Sequence, residues 1–196
     1  MSRRLLNELA QLALRQGGDV AEFAPLLGDL DQKPALPQSL PVCRLIPEAA
    51  PLANARTAAT TKALIDAAPA LKWQQSYTEV DGFSQHYLDN YGWVNIASRE
   101  GLFVTDSIRV SIGYWGAGLT YPKHTHEPEE FYLVLAGQAV FNSEGEKLNL
   151  AGPGDVIHHR PNQPHSIDMT PGPLLAAAFW RGAGLLDISS FPGTKT

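Results

Sequence analysis

Between residues 118 and 137 the chain reads Gly118-Leu-Thr-Tyr121-Pro-Lys-His124-Thr-His126-Glu-Pro-Glu-Glu130-Phe-Tyr132-Leu-Val-Leu-Ala-Gly137. Two histidines at i and i+2 on an extended chain project from the same face. Glu130 and Tyr132 share that parity once a strand resumes after Pro128, while Phe131, Leu133 and Leu135 point the other way and can pack elsewhere. One hairpin face therefore offers two imidazoles, a carboxylate and a phenol. Taken singly, each has a bland explanation as a satisfied or surface group. Together they suit a divalent ion, Zn²⁺, Fe²⁺, Mn²⁺ or Ni²⁺, with positions left open for a substrate. A further histidine follows a proline-flanked turn, Pro161-Asn-Gln-Pro164-His165, where a later strand can bring it across to the same site.

Outward from this stretch the texture is β. Short segments rich in Val, Ile, Phe, Tyr and Trp, punctuated by Gly, Pro and Asn, predict strands near 91–97, 107–115, 119–124, 130–136, 138–142, 155–159, 165–169 and 174–181. Many short, evenly spaced strands point to an antiparallel sandwich or barrel, and closure would remove exposed edges. Residues 1–72 read instead as a helical and loop-like extension, with the barrel occupying 73–196. Ser2 is the expected cap of a first helix that Gly17-Gly18 ends, with Leu5, Leu6, Leu9, Leu12 and Ala13 forming its apolar face. A second helical pattern covers Ala21 to Leu27. Five prolines between 34 and 51 predict an extended connection, and helix formers return from Thr57 to Ala68.

The whole-chain balance excludes some classes. With 196 residues, 44% hydrophobic and 18% charged, the composition is that of a globular protein. A net charge of −5 without a basic run argues against nucleic acid as a partner. Arg3 and Arg4 precede an apolar stretch, but Asn7, Glu8, Gln11, Arg15 and Gln16 interrupt it at helical intervals, so an amphipathic helix is expected rather than a leader or a membrane span. Cys43 is the single cysteine, which rules out an internal disulfide and fits a cytoplasmic location.

The segment from Gly118 to Gly137 resembles the first cupin motif, G-x5-H-x-H-x3-E-x6-G, without gaps. Gly152-Pro-Gly-Asp-Val-Ile-His-His-Arg-Pro161-Asn-Gln-Pro-His165 resembles the second motif more loosely. No glycine stands between Pro161 and His165, and Met169 and Thr170 stand where an asparagine often follows. The resemblance implies a single cupin jelly-roll barrel (a double-stranded β-helix) with one divalent metal ion held by His124, His126, Glu130 and His165. His124 is either a direct ligand or a supporting residue. His158 and His159 compete with His165, and His158 is expected on a strand where it could line the cavity; the motif position favours His165. His86, without such context, is expected at the surface.

A narrower likeness lies in Tyr121 to Tyr132, Pro153-Gly-Asp, Gln163-Pro-His165, the Phe179-Trp180 pair and a helical N-terminal segment of similar size. These features are similar to those of cupin-type dimethylsulfoniopropionate (DMSP) lyases. The resemblance implies a carbon–sulfur lyase that releases dimethyl sulfide and leaves acrylate. Tyr132 would be the base and Tyr121 a second base or an assisting acid, because a nearby divalent cation can pull a phenol below its usual pKa of about 10. The sulfonium end of such a substrate needs aromatic faces. Trp93, Tyr114, Trp115, Tyr121, Phe131 and Trp180 are the available rings, and Tyr121, Tyr132 and Trp180 are preferred. An iron-dependent cupin dioxygenase and a non-catalytic effector-binding cupin are the alternatives. The expected partner is a small sulfonium carboxylate, with no nucleic acid and no membrane, and the N-terminal region could cover the barrel or mediate a homodimer.

Overall fold

A computed structural model of the chain describes residues 1–186; residues 187–196, assigned above to the barrel, lie outside the described residues. Eleven strands follow in order: β1 Trp73–Gln74, β2 Tyr91–Ser98, β3 Phe103–Val104, β4 Arg109–Trp115, β5 Thr120–His124 and β6 Glu129–Gly137, then β7 Ala139–Ser143, β8 Asn149–Ala151, β9 Val156–His159, β10 His165–Asp168 and β11 Leu174–Arg181. The eight strands expected from the sequence are all present. The three additional ones are two or three residues long, too short to leave an alternation that a sequence reading can detect.

The strands form two sheets. The larger runs β1-β2-β4-β11-β6-β9, with β3 beside β2, and the smaller runs β5-β10-β7-β8. Side-chain alternation divides the larger sheet's two faces between two cores. Tyr132, Val134, Ala176, Ala178 and Trp180 face the barrel interior with Phe141 and Ile167 of the smaller sheet. Phe131, Leu133, Leu135, Ala177 and Phe179 face the other way and are buried against the N-terminal region.

That region is built on α1, Ser2–Gln16, whose five predicted apolar positions are all buried. Ser2 is not its cap: Met1 holds that position with no side-chain hydrogen bond, and Ser2 is already helical. Gly17, at φ 76°, ends the helix. The expected helix over Ala21–Leu27 is broken into α2, Gly18–Ala21, and a 3₁₀ turn at Pro25–Leu27, because Pro25 has no N–H with which to continue an α-helical ladder. The proline-rich connection is also not simply extended. Pro41–Leu52 winds as a 3₁₀ segment, whose φ values accommodate the fixed proline torsion. Then come α3, Ala58–Ala67, and α4, Gln85–Asp89, which leaves His86 exposed. Thr61 Oγ1 donates to the Leu135 carbonyl at 3.3 Å, and Asn54 Nδ2 to Pro153 at 2.5 Å, fastening the extension to β6 and to the Pro153-Gly-Asp turn. Among the described residues no helix is long and apolar enough to cross a membrane.

Candidate metal centre and its cavity

Strand register assembles the site. Residues directly opposite one another on antiparallel strands share a face. Glu130 of β6 pairs with Trp180 of β11 on one side and His159 of β9 on the other, and Trp180 in turn pairs with Arg109 of β4. A transverse row Arg109–Trp180–Glu130–His159 therefore crosses the larger sheet. On the smaller sheet His165 of β10 pairs directly with His124 of β5. His126 falls two residues beyond the end of β5, in the connection to β6, and still turns inward. His124, His126, Glu130, His159 and His165 are all buried.

Two overlapping groups of ligand atoms lie within 4.8 Å of one another, His124/His126/His165 and Glu130/His159/His165. Backbone carbonyls fix the imidazole tautomers. Nδ1–H of His124 donates to Pro122 at 2.7 Å, that of His126 to Pro128 at 2.9 Å and that of His165 to Gln163 at 2.8 Å. Each bond leaves Nε2 as the atom presented to the centre, which is how metal-bound histidines are ordinarily oriented. The Nε2 atoms of His159 and His165 are buried without a hydrogen-bond partner. Unsatisfied buried imidazole nitrogens are costly unless an ion or another ligand meets them. The donor set thus fits a divalent metal.

Burial pushes the His124 imidazole down to about 4, and burial with the neighbouring His159 and His124 rings holds His165 well below its usual range, so both are neutral at pH 7. His126 differs. Its burial is outweighed by Glu130, whose Oε2 lies 3.1 Å from Nε2, and its pKa is raised. The Pro128 carbonyl on one nitrogen and the Glu130 carboxylate on the other both favour the protonated ring. For Glu130 itself, burial is overcome by His126 and His159, which keep the carboxyl ionised well below the usual range. Tyr132 is the opposite case: burial first, and then the Glu130 carboxylate, push its phenol far above its ordinary value.

A cavity opens beside the cluster, walled by Tyr77, Tyr91, Trp93, Trp115, Tyr121, Tyr132 and Trp180, with Arg109 and Glu130 also in its lining. Its floor on β4 and β11 is made of the small residues Ser111, Gly113 and Ala178. A Cβ at Gly113 would come within 2.4 Å of the Trp115 ring, so that indole occupies the space a side chain would take. Trp115 lies 5.6 Å from Tyr91 and 5.9 Å from Tyr121 between ring centroids, and the Tyr77 and Tyr121 hydroxyls are 2.6 Å apart. Arg109 lies over the rings of Trp93 and Trp180, 5.0 and 4.8 Å from their centroids.

The four ligand candidates thus converge, with Tyr132, Tyr121 and Trp180 lining the adjoining cavity. Two expectations are corrected. His158 does not face the cavity: it stacks on Phe131 at 4.7 Å and bonds Glu129 at 2.8 Å on the outer side of the sheet, while its neighbour His159 points inward. Tyr114 and Phe131 belong to the core under the N-terminal region, on the wrong face to meet a ligand. Sequence reasoning missed Arg109, Tyr77 and Tyr91 altogether. Tyr77 sits in an irregular segment, and Arg109 looks like an ordinary charge at a strand's start.

The dimethylsulfoniopropionate lyase family model matches residues 19–176. A curated relative, dimethylsulfoniopropionate lyase DddQ of Ruegeria pomeroyi, is 31% identical over 180 residues, 92% of this chain and 89% of the relative. The crystal structure of DMSP lyase DddQ from Ruegeria pomeroyi superposes with a TM-score of 0.87 at 29% identity, covering 99% of this chain and 98% of the other. A solved structure of the DMSP lyases RdDddP and RnDddQII gives 0.85 at 34% identity, over 98% and 100% of the two chains. A cupin-2 domain protein of Rhodospirillum rubrum shares the barrel fold, at 14% identity, a TM-score of 0.50 and coverage of 63% and 76%.

Proposed function

We propose that this chain, which belongs to the dimethylsulfoniopropionate lyase family, cleaves dimethylsulfoniopropionate to dimethyl sulfide and acrylate at the centre formed by His124, His126, Glu130 and His165. The observation that carries the reading is the lining of the cavity, in which Arg109 and the Glu130 carboxylate of the cluster stand among the rings of Trp115, Tyr91, Tyr77 and Tyr121. The substrate calls for both kinds of group, with a carboxylate at one end and a sulfonium at the other. A sulfonium accepts no hydrogen bond, and each aromatic face it meets contributes roughly 0.5–2 kcal/mol. Repulsion from Arg109 disfavours the sulfonium at the Trp93 and Trp180 rings that the guanidinium covers. That leaves Tyr77, Tyr91, Trp115 and Tyr121 for that end and the cluster for the carboxylate.

In this pose Tyr132 lies beside the carbon alpha to the carboxylate. The phenolate takes the alpha proton, the C–H electrons form the alkene, and the carbon–sulfur electrons leave with dimethyl sulfide. His124, His126, Glu130 and His165 would hold a divalent ion, which would supply positive charge to stabilise the negative charge that develops on the substrate and to lower the pKa of the phenol. Without added positive charge, burial and Glu130 hold the proton on Tyr132. Tyr121, joined to Tyr77 through its hydroxyl, can receive or return a proton at the cavity wall.

The test is a headspace assay for dimethyl sulfide evolved from DMSP, with chelator and metal add-back. Chelator-sensitive release under anaerobic conditions is expected, and its absence would remove the lyase reading while leaving the fold untouched. Tyr132→Phe should lower kcat by about 10²–10⁴-fold with metal content retained. Turnover near wild type would dismiss it as the base.

A further inference from the structure

We propose that His159 and Trp180 are positioning residues that clamp Glu130 from both flanking strands and so hold the carboxylate at the metal centre. The inference rests on the metal-centre reading above, but neither residue belongs to the ligand set of that reading.

The clamp follows from register. His159 on β9 and Trp180 on β11 are the residues directly opposite Glu130 on β6. Trp180 Nε1–H donates to Glu130 Oε1 at 2.6 Å, and His159 Nδ1–H donates to Oε2 at 2.9 Å. The two oxygens are thus held from the two neighbouring strands, with His126 Nε2 also 3.1 Å from Oε2, and the strand contacts restrain both the torsion and the tilt of the group. The arms are themselves anchored. Arg109 covers the Trp180 ring at 4.8 Å, and the His159 ring stacks on His165 at 3.8 Å with 18° between planes. His159 therefore touches two of the four expected ligands, one by a hydrogen bond and one by its ring.

A nitrogen of His159 also lies within 4.8 Å of ligand atoms of Glu130 and His165, and its Nε2 has no hydrogen-bond partner. The clamp concerns the Nδ1–H bond to Glu130, a contact that asparagine can replace and phenylalanine cannot. A hydrogen-bonded carboxylate retains lone pairs for an ion, whereas an unrestrained one must lose side-chain freedom on binding.

The experiment uses the full chain and Co²⁺ as the probe, reading affinity by chelator competition and geometry by the visible d–d absorption. His159→Phe keeps a ring against His165 but deletes the donor. His159→Asn keeps a donor near the Nδ1 position but deletes the ring. Trp180→Phe deletes the other arm. The clamp predicts that His159→Phe and Trp180→Phe each weaken Co²⁺ binding by about tenfold or more and alter the band. His159→Asn should stay within about threefold of wild type. Wild-type affinity and spectrum in His159→Phe, or no rescue by asparagine, would overturn the hydrogen-bond assignment even if one variant proved unstable. Failure of the wild-type chain to bind Co²⁺ would overturn the underlying metal reading instead, and the two failures are distinguishable.

Discussion

His126 is the histidine of the cluster whose pKa moves opposite to those of His124 and His165. Both of its nitrogens meet acceptors, the Pro128 carbonyl and the Glu130 carboxylate, which favour the protonated ring, and a divalent ion would compete with that proton for Nε2. Titration calorimetry in buffers of different ionisation enthalpy should detect release of up to about one proton per divalent ion bound near pH 7. His124 sets a different pH dependence. Its folded pKa of about 4 lies below the unfolded value of about 6.5, so the unfolded chain binds more protons between those limits. Stability of chelator-treated protein should therefore fall as the pH drops from about 6.5 to about 4, by about 3 kcal/mol from this residue. His165 acts in the same direction, and Glu130 adds a loss at still lower pH. His126 opposes them, since a raised pKa contributes stability at low pH that is lost as pH rises. Urea melts across this range should show net weakening on acidification, with a shallower slope in His124→Gln.

β5 and β6, expected from the sequence as one hairpin, lie in different sheets, and the segment that carries them is bracketed by two glycines that do different work. Gly137 has φ 76°, and a Cβ there would lie 1.8 Å from the carbonyl oxygen of Pro173, in the turn that leads into β11. Gly118, at φ 78°, has nothing within 4 Å of the same position. Alanine at Gly118 meets only the left-handed backbone penalty, about 1–2 kcal/mol. Alanine at Gly137 adds a backbone clash and should cost about 3 kcal/mol or more by the same urea melts. Equal costs would show that the backbone around Pro173 yields more readily than its packing suggests. Both glycines were visible in the motif spacing, but the distinction between them was not, because the Pro173 contact joins elements distant in sequence.

At the scale of the whole molecule, the larger sheet is a shared wall. One face builds the centre, and the other is covered by the N-terminal region. There α3 and the Pro41–Leu52 segment meet β6, and α1 packs on α3. Leu5, Leu6, Leu9 and Leu12 of α1 are fully buried in the same core as Phe23, Phe131 and Phe179. Arg181 at the end of β11 adds polar ties, to Glu129 and Glu22 at 2.6 Å each. Because β6 and β11 carry Glu130, Tyr132 and Trp180 on one face and Phe131 and Phe179 on the other, loosening α1 should disturb the centre as well as the core. Leu9→Ala is expected to cost about 2–5 kcal/mol in thermal or urea unfolding. It should weaken Co²⁺ binding before it abolishes folding; intact affinity in a strongly destabilised variant would show that the two faces are independent.

Much of this molecule was legible in one dimension. Parity along Gly118–Gly137 placed Glu130 and Tyr132 on one face and Phe131, Leu133 and Leu135 on the other, because a strand's two-residue period is fixed by local backbone geometry. Spacing alone likewise marked the strands that carry the site. What only the tertiary structure decided was register and adjacency. Consecutive His158 and His159 must point to opposite faces, but the pairing of Glu130 with His159 determines which one enters the barrel. The same holds for the Trp180 arm and for the wall of Tyr77, Tyr91 and Trp115. These residues come from separate elements, and long-range strand pairing and core packing, unlike side-chain alternation, leave no local periodic trace in the chain.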